Sequence, residues 1–309
     1  MSSESGSTAP SAVVFAYHDV GVRCLGVLLE AGVDVRLVVT HADEPGERVF
    51  FASVREAARS RGLEVEAPAD ANTPAFLARL QAIAPDFLFA FYYRSMLSPA
   101  VLATARRGAF NMHGSLLPRY RGRAPVNWAV LHGERETGAT LHEMIAKPDA
   151  GRIAGQQAVP IGADDTAAEV LARVAVAAEA LLRRELPRLL DGSATLVPQD
   201  LARGSYFGAR RPEDGRIDLA RPARAVHDLV RAVAPPYPGA FLEFRGAELR
   251  VLRTRVLPPE ERRAGAPGVR CEAGRVLLDC GDGAALEALE IEYRGQPVTP
   301  AAFCDNVRP

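Results

Sequence analysis

Lysine is almost missing from this sequence: Lys147 is the only one, and apart from histidine every other basic side chain is arginine. The 37 basic and 38 acidic residues leave a net charge of −1. That balance argues against a chain built to coat bulk nucleic acid or to lie on an anionic membrane. No apolar run approaches the roughly 20 residues that a membrane helix needs. The first eleven residues are rich in Ser, Gly and Thr. They have neither the basic start nor the apolar stretch of a secretory signal, and they read as a disordered tail. Cysteine is sparse too. Cys24, Cys271, Cys280 and Cys304 are scattered, with no Cys-x-x-Cys and no paired histidine spacing. Structural thiols in a reducing, cytoplasmic setting are expected rather than zinc or disulfides. The first loop, Tyr17-His18-Asp19-Val20-Gly21, lacks G-x-G-x-x-G, which disfavours a nicotinamide dinucleotide.

What the sequence does have is a steady alternation of strand and helix signals. Residues 13–17 are a continuous apolar run, the pattern of a strand buried on both faces. A helix with Leu25, Leu28 and Leu29 inward follows and stops at Gly32. A strand over 33–39, a helix over 51–61 and a short strand over 63–65 come next. Thr73-Pro74 and Ser98-Pro99 each join an N-cap residue to a proline at the first helical position. A strand over 86–91 lies between those helices, and the second helix should end before Gly108. Further strands are predicted over 139–145 and 156–161. Thr166-x-x-Glu169 is a capping box opening a long helix that Pro187 should end or kink.

This rhythm predicts an α/β fold with a doubly wound, mainly parallel, Rossmann-like sheet. From 192 to 204 the pattern dissolves, which reads as a linker. After a helix over 222–232 the texture changes to alternating strands, one pair turning at Arg245-Gly246. Glu290 and Glu292 should face away from Leu289 and Ile291. A small β-barrel or sandwich is expected here. The division predicted is a tail over 1–11, a catalytic domain over 12–203 and a smaller domain over 204–309.

A stretch starting at Gly108 opens as a short apolar strand and places Asn111 and His113 at its end, before a loop rich in Gly, Pro and Arg. Residues two apart in a strand share a face. A carboxamide and an imidazole therefore project side by side at a strand's carboxyl end, where open α/β sheets bind ligands. Taken alone, such a pair more often caps a strand and bonds to loop backbone. Acyl transfer to an amine needs a proton acceptor, a donor to the oxyanion and a group that orients the acceptor. His113 fits the first, Asn111 the second, and Asp149, in the loop after a neighbouring predicted strand, the third.

Asn111-x-His113-x-Ser115-Leu116-Leu117-Pro118 with Asp149-x-Gly151 downstream resembles the signature of the folate-dependent formyltransferases. Phe15-Ala16-Tyr17-His18-Asp19, Thr40-His41-Ala42-Asp43, Phe91-Tyr92-Tyr93-Arg94, the stretch from His113 to Pro125, and Ala232-Val233-Ala234-x-Pro236-x-Pro238-Gly239-Ala240-Phe241 extend the match. They resemble the branch of that family that formylates UDP-4-amino-4-deoxy-L-arabinose, over nearly the whole chain from about residue 12. The resemblance implies an OB-like second domain, 10-formyltetrahydrofolate as co-substrate, no metal, and a UDP-linked aminosugar as acceptor. It implies that Asn111 polarises the formyl group, His113 shuttles the proton and Asp149 raises its basicity. It places the folate against Ser95, Met96 and Leu97, near Arg123, and along Ile145, Ala146, Lys147, Pro148 and Asp149. In the family this step serves lipid A modification and resistance to cationic peptides such as polymyxin.

Members acting on methionyl-tRNA carry a basic loop after the second strand. Here that segment is Asp43-Glu44-Pro45-Gly46-Glu47-Arg48, short and mostly acidic, which repels phosphate and favours a small sugar-nucleotide amine. Tyr17 and His18 are candidate substrate contacts. Arg210 and Arg211 could meet a diphosphate, although a solvated or interdomain pair is the plainer reading. The alternatives are another nucleotide-linked aminosugar, methionyl-tRNA, or a folate or sugar-nucleotide sensor without turnover. His18-Asp19 lacks the further ligands of a metal site. His142 and Glu143 alternate across a strand and are set aside as a pair. His132 and His227 read as surface or capping residues, and Trp128 as core.

Overall fold

The computed structural model describes residues 9–42, 49–261 and 265–307. The expected tail before residue 9 and the acidic segment 43–48 lie outside the described residues. Packing divides the chain into two units. The first takes residues up to 122 with 138–159 and 172–206; the second takes 123–137, 160–171 and 207 onward.

The chain opens with β1 (Ser11–Ala16), α1 (His18–Glu30), β2 (Asp34–Val39), α2 (Val54–Arg59) and β3 (Val65–Glu66). Then come α3 (Pro74–Ile83), β4 (Phe87–Phe91), α4 (Pro99–Leu102), β5 (Gly108–His113) and the short β6 (Arg121–Gly122). α5 (Pro125–Leu131), β7 (Glu136–Glu143), β8 (Ile153–Pro160), α6 (Ala167–Asp191) and the short β9 (Tyr206–Phe207) follow. The remainder is α7 (Ala223–Val233), β10 (Ala240–Phe244), β11 (Ala247–Val256), β12 (Gly268–Glu272), β13 (Arg275–Asp279), β14 (Ala285–Tyr293), β15 (Gln296–Val298) and α8 (Pro300–Asn306).

Seven strands form one sheet in the order β3-β2-β1-β4-β5-β7-β8. β1 pairs in parallel with β2 and β4, and β4 with β5, while β7 runs antiparallel to β5. The fold is the α/β, mainly parallel, Rossmann-like one expected. Every residue of β1 and β4 is buried, which is why both read as unbroken apolar runs. The strand order reverses between β1 and β4, so their carboxyl ends flank a switch point, the usual ligand crevice of such sheets. Phe15, Leu37, Leu80 and Leu88 fill the core beside this point. α3 and α4 start as the cap-plus-proline pairs dictate: Thr73 Oγ1 accepts from Phe76 N and Ser98 Oγ from Val101 N, both at 3.3 Å.

Several expectations need correction. β1 begins inside the expected tail, because Ser11 donates from its backbone N–H and its hydroxyl to Asp86 Oδ2 at 2.9 and 3.1 Å. α4 ends at Leu102, before Gly108 as expected. Arg106 and Arg107 donate to the carbonyls of Pro85 and Asp86, which draws the chain out into β5. α6 continues past Pro187 to Asp191. Its buried stripe of Leu181, Leu182, Leu186 and Leu189 outweighs the cost of the interior proline, about 3 kcal/mol. The expected linker over 192–204 is ordered: Ile153 and Val197 exchange two backbone hydrogen bonds of 2.8 Å.

The second unit has a six-stranded antiparallel sheet ordered β10-β11-β14-β13-β12, with β15 on β14. The β10–β11 hairpin turns at Arg245 and Gly246, both left-handed at φ 50° and 74°, as a two-residue hairpin loop requires. A register shift in the β11–β14 pairing breaks the alternation expected in β14, so Leu289 stands exposed although Ile291 is buried. His227 is not a surface residue: it is 1 % exposed, near Thr254 Oγ1 at 2.9 Å, and donates from Nε2 to the Ala163 carbonyl at 3.1 Å. Cys271 and Cys304 form a disulfide, contrary to the expectation of free thiols, because β12 and α8 bring their Cα atoms to 5.5 Å. Cys24 and Cys280 are free and buried.

Candidate active site

The antiparallel pairing of β5 with β7 builds the site. Asn111 sits directly opposite His142 in register, and His113 opposite Thr140. Opposed residues of an antiparallel pair share a face, so Asn111 and His142 meet there, Nδ2 to Nε2 at 3.0 Å. The strand alternation that separates His142 from Glu143 holds, and the structure brings His142 alone into the cluster. Glu143 takes no part, being engaged by Arg152 through two bonds of 2.9 Å.

Beyond β7 the chain turns back and presents Asp149 at φ 51°. Asp149 Oδ1 lies 3.6 Å from His113 Nδ1 and 3.5 Å from His142 Nε2, while Oδ2 accepts the Gly122 N–H at 2.9 Å. Asn111, His113, His142 and Asp149 thus meet at the carboxyl end of β5. The Asp149 turn is clamped from behind, where Gln199 Nε2 donates to the carbonyls of Asp149 and Gly151 at 3.0 and 2.6 Å. Position 151 must be glycine because a Cβ there would overlap the Glu143 carbonyl. Gly151→Ala is therefore expected to lower thermal stability and displace Asp149, read as a fall in melting temperature together with lost turnover.

The hydrogen bonds fix the tautomers. His113 Nε2 lies 2.8 Å from the Tyr120 carbonyl, which can only accept, so Nε2 carries the proton. The lone pair of neutral His113 is then on Nδ1, facing Asp149. His142 Nδ1 donates to the Glu143 carbonyl at 2.9 Å, which leaves its Nε2 to accept from the Asn111 amide. The other amide hydrogen of Asn111 has no acceptor among the described residues. The loop that holds the Tyr120 carbonyl is braced by Thr140 Oγ1, which donates to the Ser115 carbonyl at 2.6 Å and accepts from Leu117 N at 3.2 Å.

Burial lowers the pKa of His113 and outweighs the pull of Asp149, so the imidazole is neutral at neutral pH. Burial also opposes ionisation of Asp149. Even so, the charge His113 can carry and the Gly122 N–H hold its carboxyl well below the ordinary range. A neutral imidazole thus faces a permanent carboxylate, ready to take a proton on the shared edge.

The other sequence candidates divide between the units. Ser95, Met96, Ala146 and Lys147 are exposed on loops of the first unit, with Met96 at 55 % and Ile145 at 41 % unusually open for apolar side chains. Leu97 is buried and Pro148 half-buried. Tyr17 and His18 are buried at the switch point among aromatic rings: His18 packs against Phe51 in a tilted arrangement at 4.3 Å, and the Arg94 guanidinium lies 4.5 Å over the Tyr17 ring. Burial lowers the His18 pKa to about 4 despite Asp19. Arg123, Arg210 and Arg211 belong to the second unit. There Arg210 lies 4.8 Å over the ring of Trp128, which is half-buried rather than core and stacks on Phe207, also at 4.8 Å. Arg211 N donates to Asp214 Oδ2 at 2.7 Å. No group of three metal-ligating side chains occurs among the described residues, and no described helix is long and apolar enough to cross a membrane.

Comparison with known proteins follows the same two-part layout. The pattern of the family described as formyl transferase matches residues 26–186. That described as formyl transferase, C-terminal domain, matches 210–308. Among solved structures, an N-formyltransferase from Helicobacter canadensis, in complex with folinic acid and dTDP-3-aminofucose, aligns with a TM-score of 0.71. It is 18% identical, and the alignment covers 94% of this chain and 100% of that one. WlaRD, a sugar 3N-formyl transferase determined in the presence of dTDP and 5-N-formyl-THF, gives 0.72 at 16% identity over 94% and 98%. A sugar N-formyltransferase from a Shewanella species gives 0.62 at 18% identity over 79% and 96%. At such identities these likenesses establish a shared fold.

Proposed function

Because the chain belongs to the formyl transferase family, we propose that it transfers the formyl group of 10-formyltetrahydrofolate to the 4-amino group of a UDP-linked aminosugar. UDP-4-amino-4-deoxy-L-arabinose is the acceptor favoured by the sequence resemblance, and lipid A modification the setting. The observation that carries the reading is the meeting of Asn111, His113 and Asp149 at the end of β5. A non-catalytic sensor needs no neutral base set against a permanent carboxylate.

The folate supplies an activated one-carbon acyl group on nitrogen. The open apolar side chains of Met96 and Ile145 and the loop from Ala146 to Asp149 suit a flat heteroaromatic ring, and these residues would hold it. Asn111 directs its second amide hydrogen at the formyl oxygen and stabilises the charge that gathers there as the amine adds. His113 takes the amine's proton on Nδ1. Asp149 steadies the imidazolium that results, and Gly122 and Gln199 keep that carboxylate from swinging away. His113 then returns the proton to the folate nitrogen as its bond to the formyl carbon breaks. Tyr17 and His18 are assigned to the acceptor, at the switch point between β1 and β4. Arg210 and Arg211 are kept as candidate phosphate contacts.

The names of the similar structures favour a second reading, a dTDP-linked 3-aminosugar. A panel decides between them: purified protein is incubated with 10-formyltetrahydrofolate and UDP- or dTDP-linked 3- and 4-aminosugars, and products are read by mass. Formylated UDP-4-amino-4-deoxy-L-arabinose at the highest kcat/KM supports the proposal. Preference for a dTDP-linked sugar moves the acceptor, and no product from any sugar rejects the reading.

The pH profile is a second test. His113 must be neutral to accept a proton, and burial lowers its pKa, so the acid limb of kcat/KM should fall below the ordinary histidine value of 6.5. Asp149 favours the protonated ring. Asp149→Asn should therefore shift that limb to still lower pH while depressing the plateau, because the base is weaker. His142→Phe removes the acceptor that orients the Asn111 amide. A loss of about 1 kcal/mol, roughly fivefold in kcat, is expected, with the pH limb moving upward, because His142 is one of the groups that hold the His113 pKa down.

A further inference from the structure

The Cys271–Cys304 bond lies wholly in the second unit and takes no part in the chemistry above. Its two ends are unlike. Cys271 is exposed on β12, whereas Cys304 is 3 % exposed, on the buried side of α8. Beside the bond runs a groove of about 310 Å³ lined by both cysteines, Phe244, Arg245, Arg270 and Glu272. Arg270 is committed to Asp279 and Glu272. Arg245 lies against the Phe244 ring at 5.5 Å and has no carboxylate partner among the described residues. One sulfur is thus presented at the edge of a groove that also offers an uncommitted cation.

We infer that this disulfide is an exchange site for a small thiol bearing carboxylates, of the glutathione class, with Cys271 as the sulfur attacked. The inference does not depend on the formyl transfer reading. Arg245 draws the carboxylate of the incoming thiol into the groove, and its charge favours the attacking thiolate. That thiolate bonds to Cys271 Sγ as the Cys271–Cys304 bond breaks, and Cys304 leaves as a thiolate that takes up one proton. The released thiol has an acceptor in place, since Cys304 Sγ lies 3.4 Å from the Arg275 carbonyl. A second small thiol attacks the small-molecule sulfur of the mixed disulfide. Cys271 leaves as a thiol and the two small thiols depart as their disulfide, so two electrons pass to the protein.

The helix stays docked when the bond opens. Phe303, fully buried in α8, packs against Phe244 and Tyr293 at 5.4 and 5.1 Å between ring centres. Cys24 and Cys280 do not compete, because burial pushes both thiols up, Cys280 to about 12.

The test equilibrates the whole protein in a series of reduced and oxidised glutathione ratios, quenches in acid, alkylates, and reads the mass. Two thiols should appear together as the ratio becomes reducing. Cys304→Ser protein should gain a single glutathione on Cys271, and Cys271→Ser protein none on the buried Cys304. Opening the bond frees a loop of 33 residues, so the melting temperature should drop by on the order of 10 °C, equally in reduced and Cys304→Ser protein. A bond that persists at the most reducing ratio overturns the inference. So does equal modification of both single variants, or of neither.

Discussion

His113→Ala should lower kcat for formyl transfer by roughly 100- to 10,000-fold, the range for loss of a positioned general base, in a protein that still folds. The imidazole is the neutral nitrogen base of the cluster, with a pKa close enough to neutrality both to take a proton and to give it back. Its Nε2 is committed to the Tyr120 carbonyl, so the proton of the attacking amine has Nδ1 as its destination. Without it the amine must lose its proton to solvent. The fold should survive, because β5 is held by its ladders to β4 and β7 rather than by this side chain. Circular dichroism and a melting curve establish the fold, and steady-state kinetics on the preferred sugar establish the loss. Turnover within tenfold of the unaltered enzyme would remove His113 from the mechanism.

Asn111→Ala should cost roughly 100- to 1,000-fold, about 3–4 kcal/mol, mainly in kcat. The carboxamide is half-buried and fixed by His142 on one hydrogen, so the other is aimed without further reorganisation. Its hydrogen bond strengthens as the formyl oxygen gains charge, and KM should therefore change little. Asn111→Asp is the sharper variant. It keeps the volume, places a second carboxylate against Asp149, and replaces a donor with an acceptor, so it should be at least as inactive as the alanine. Activity retained by Asn111→Asp would show that the amide N–H does not contact the reacting oxygen.

How much of this could be read from the sequence depends on the range of each interaction. β1 and β4 announce themselves because burial on both faces writes an unbroken apolar run. Thr73-Pro74 and Ser98-Pro99 do so because a cap is decided within four residues. The adjacency of Asn111 and His113 is equally local, following from the two-residue period of a strand. His142 was not legible, since its place opposite Asn111 depends on the register between strands separated by α5, which no local pattern encodes. Gln199 sits in a stretch without periodicity, and its two bonds to the Asp149 turn exist only in three dimensions. Cysteine spacing does not state connectivity, so the Cys271–Cys304 pairing surfaced only once α8 was seen against β12 and β13. Pro187 misled for the opposite reason: a strong local signal lost to tertiary packing along α6.

The clamp on the Asp149 turn also bears on synthesis. Gln199 lies 50 residues downstream of the carbonyl it holds, and the ordered stretch that carries it follows the whole of α6. A nascent chain leaving the ribosome can therefore complete β5 and β7, and bring Asn111 and His142 together, well before the carboxylate is locked in place. Competence should arrive late and abruptly, when residues near 199 clear the exit tunnel.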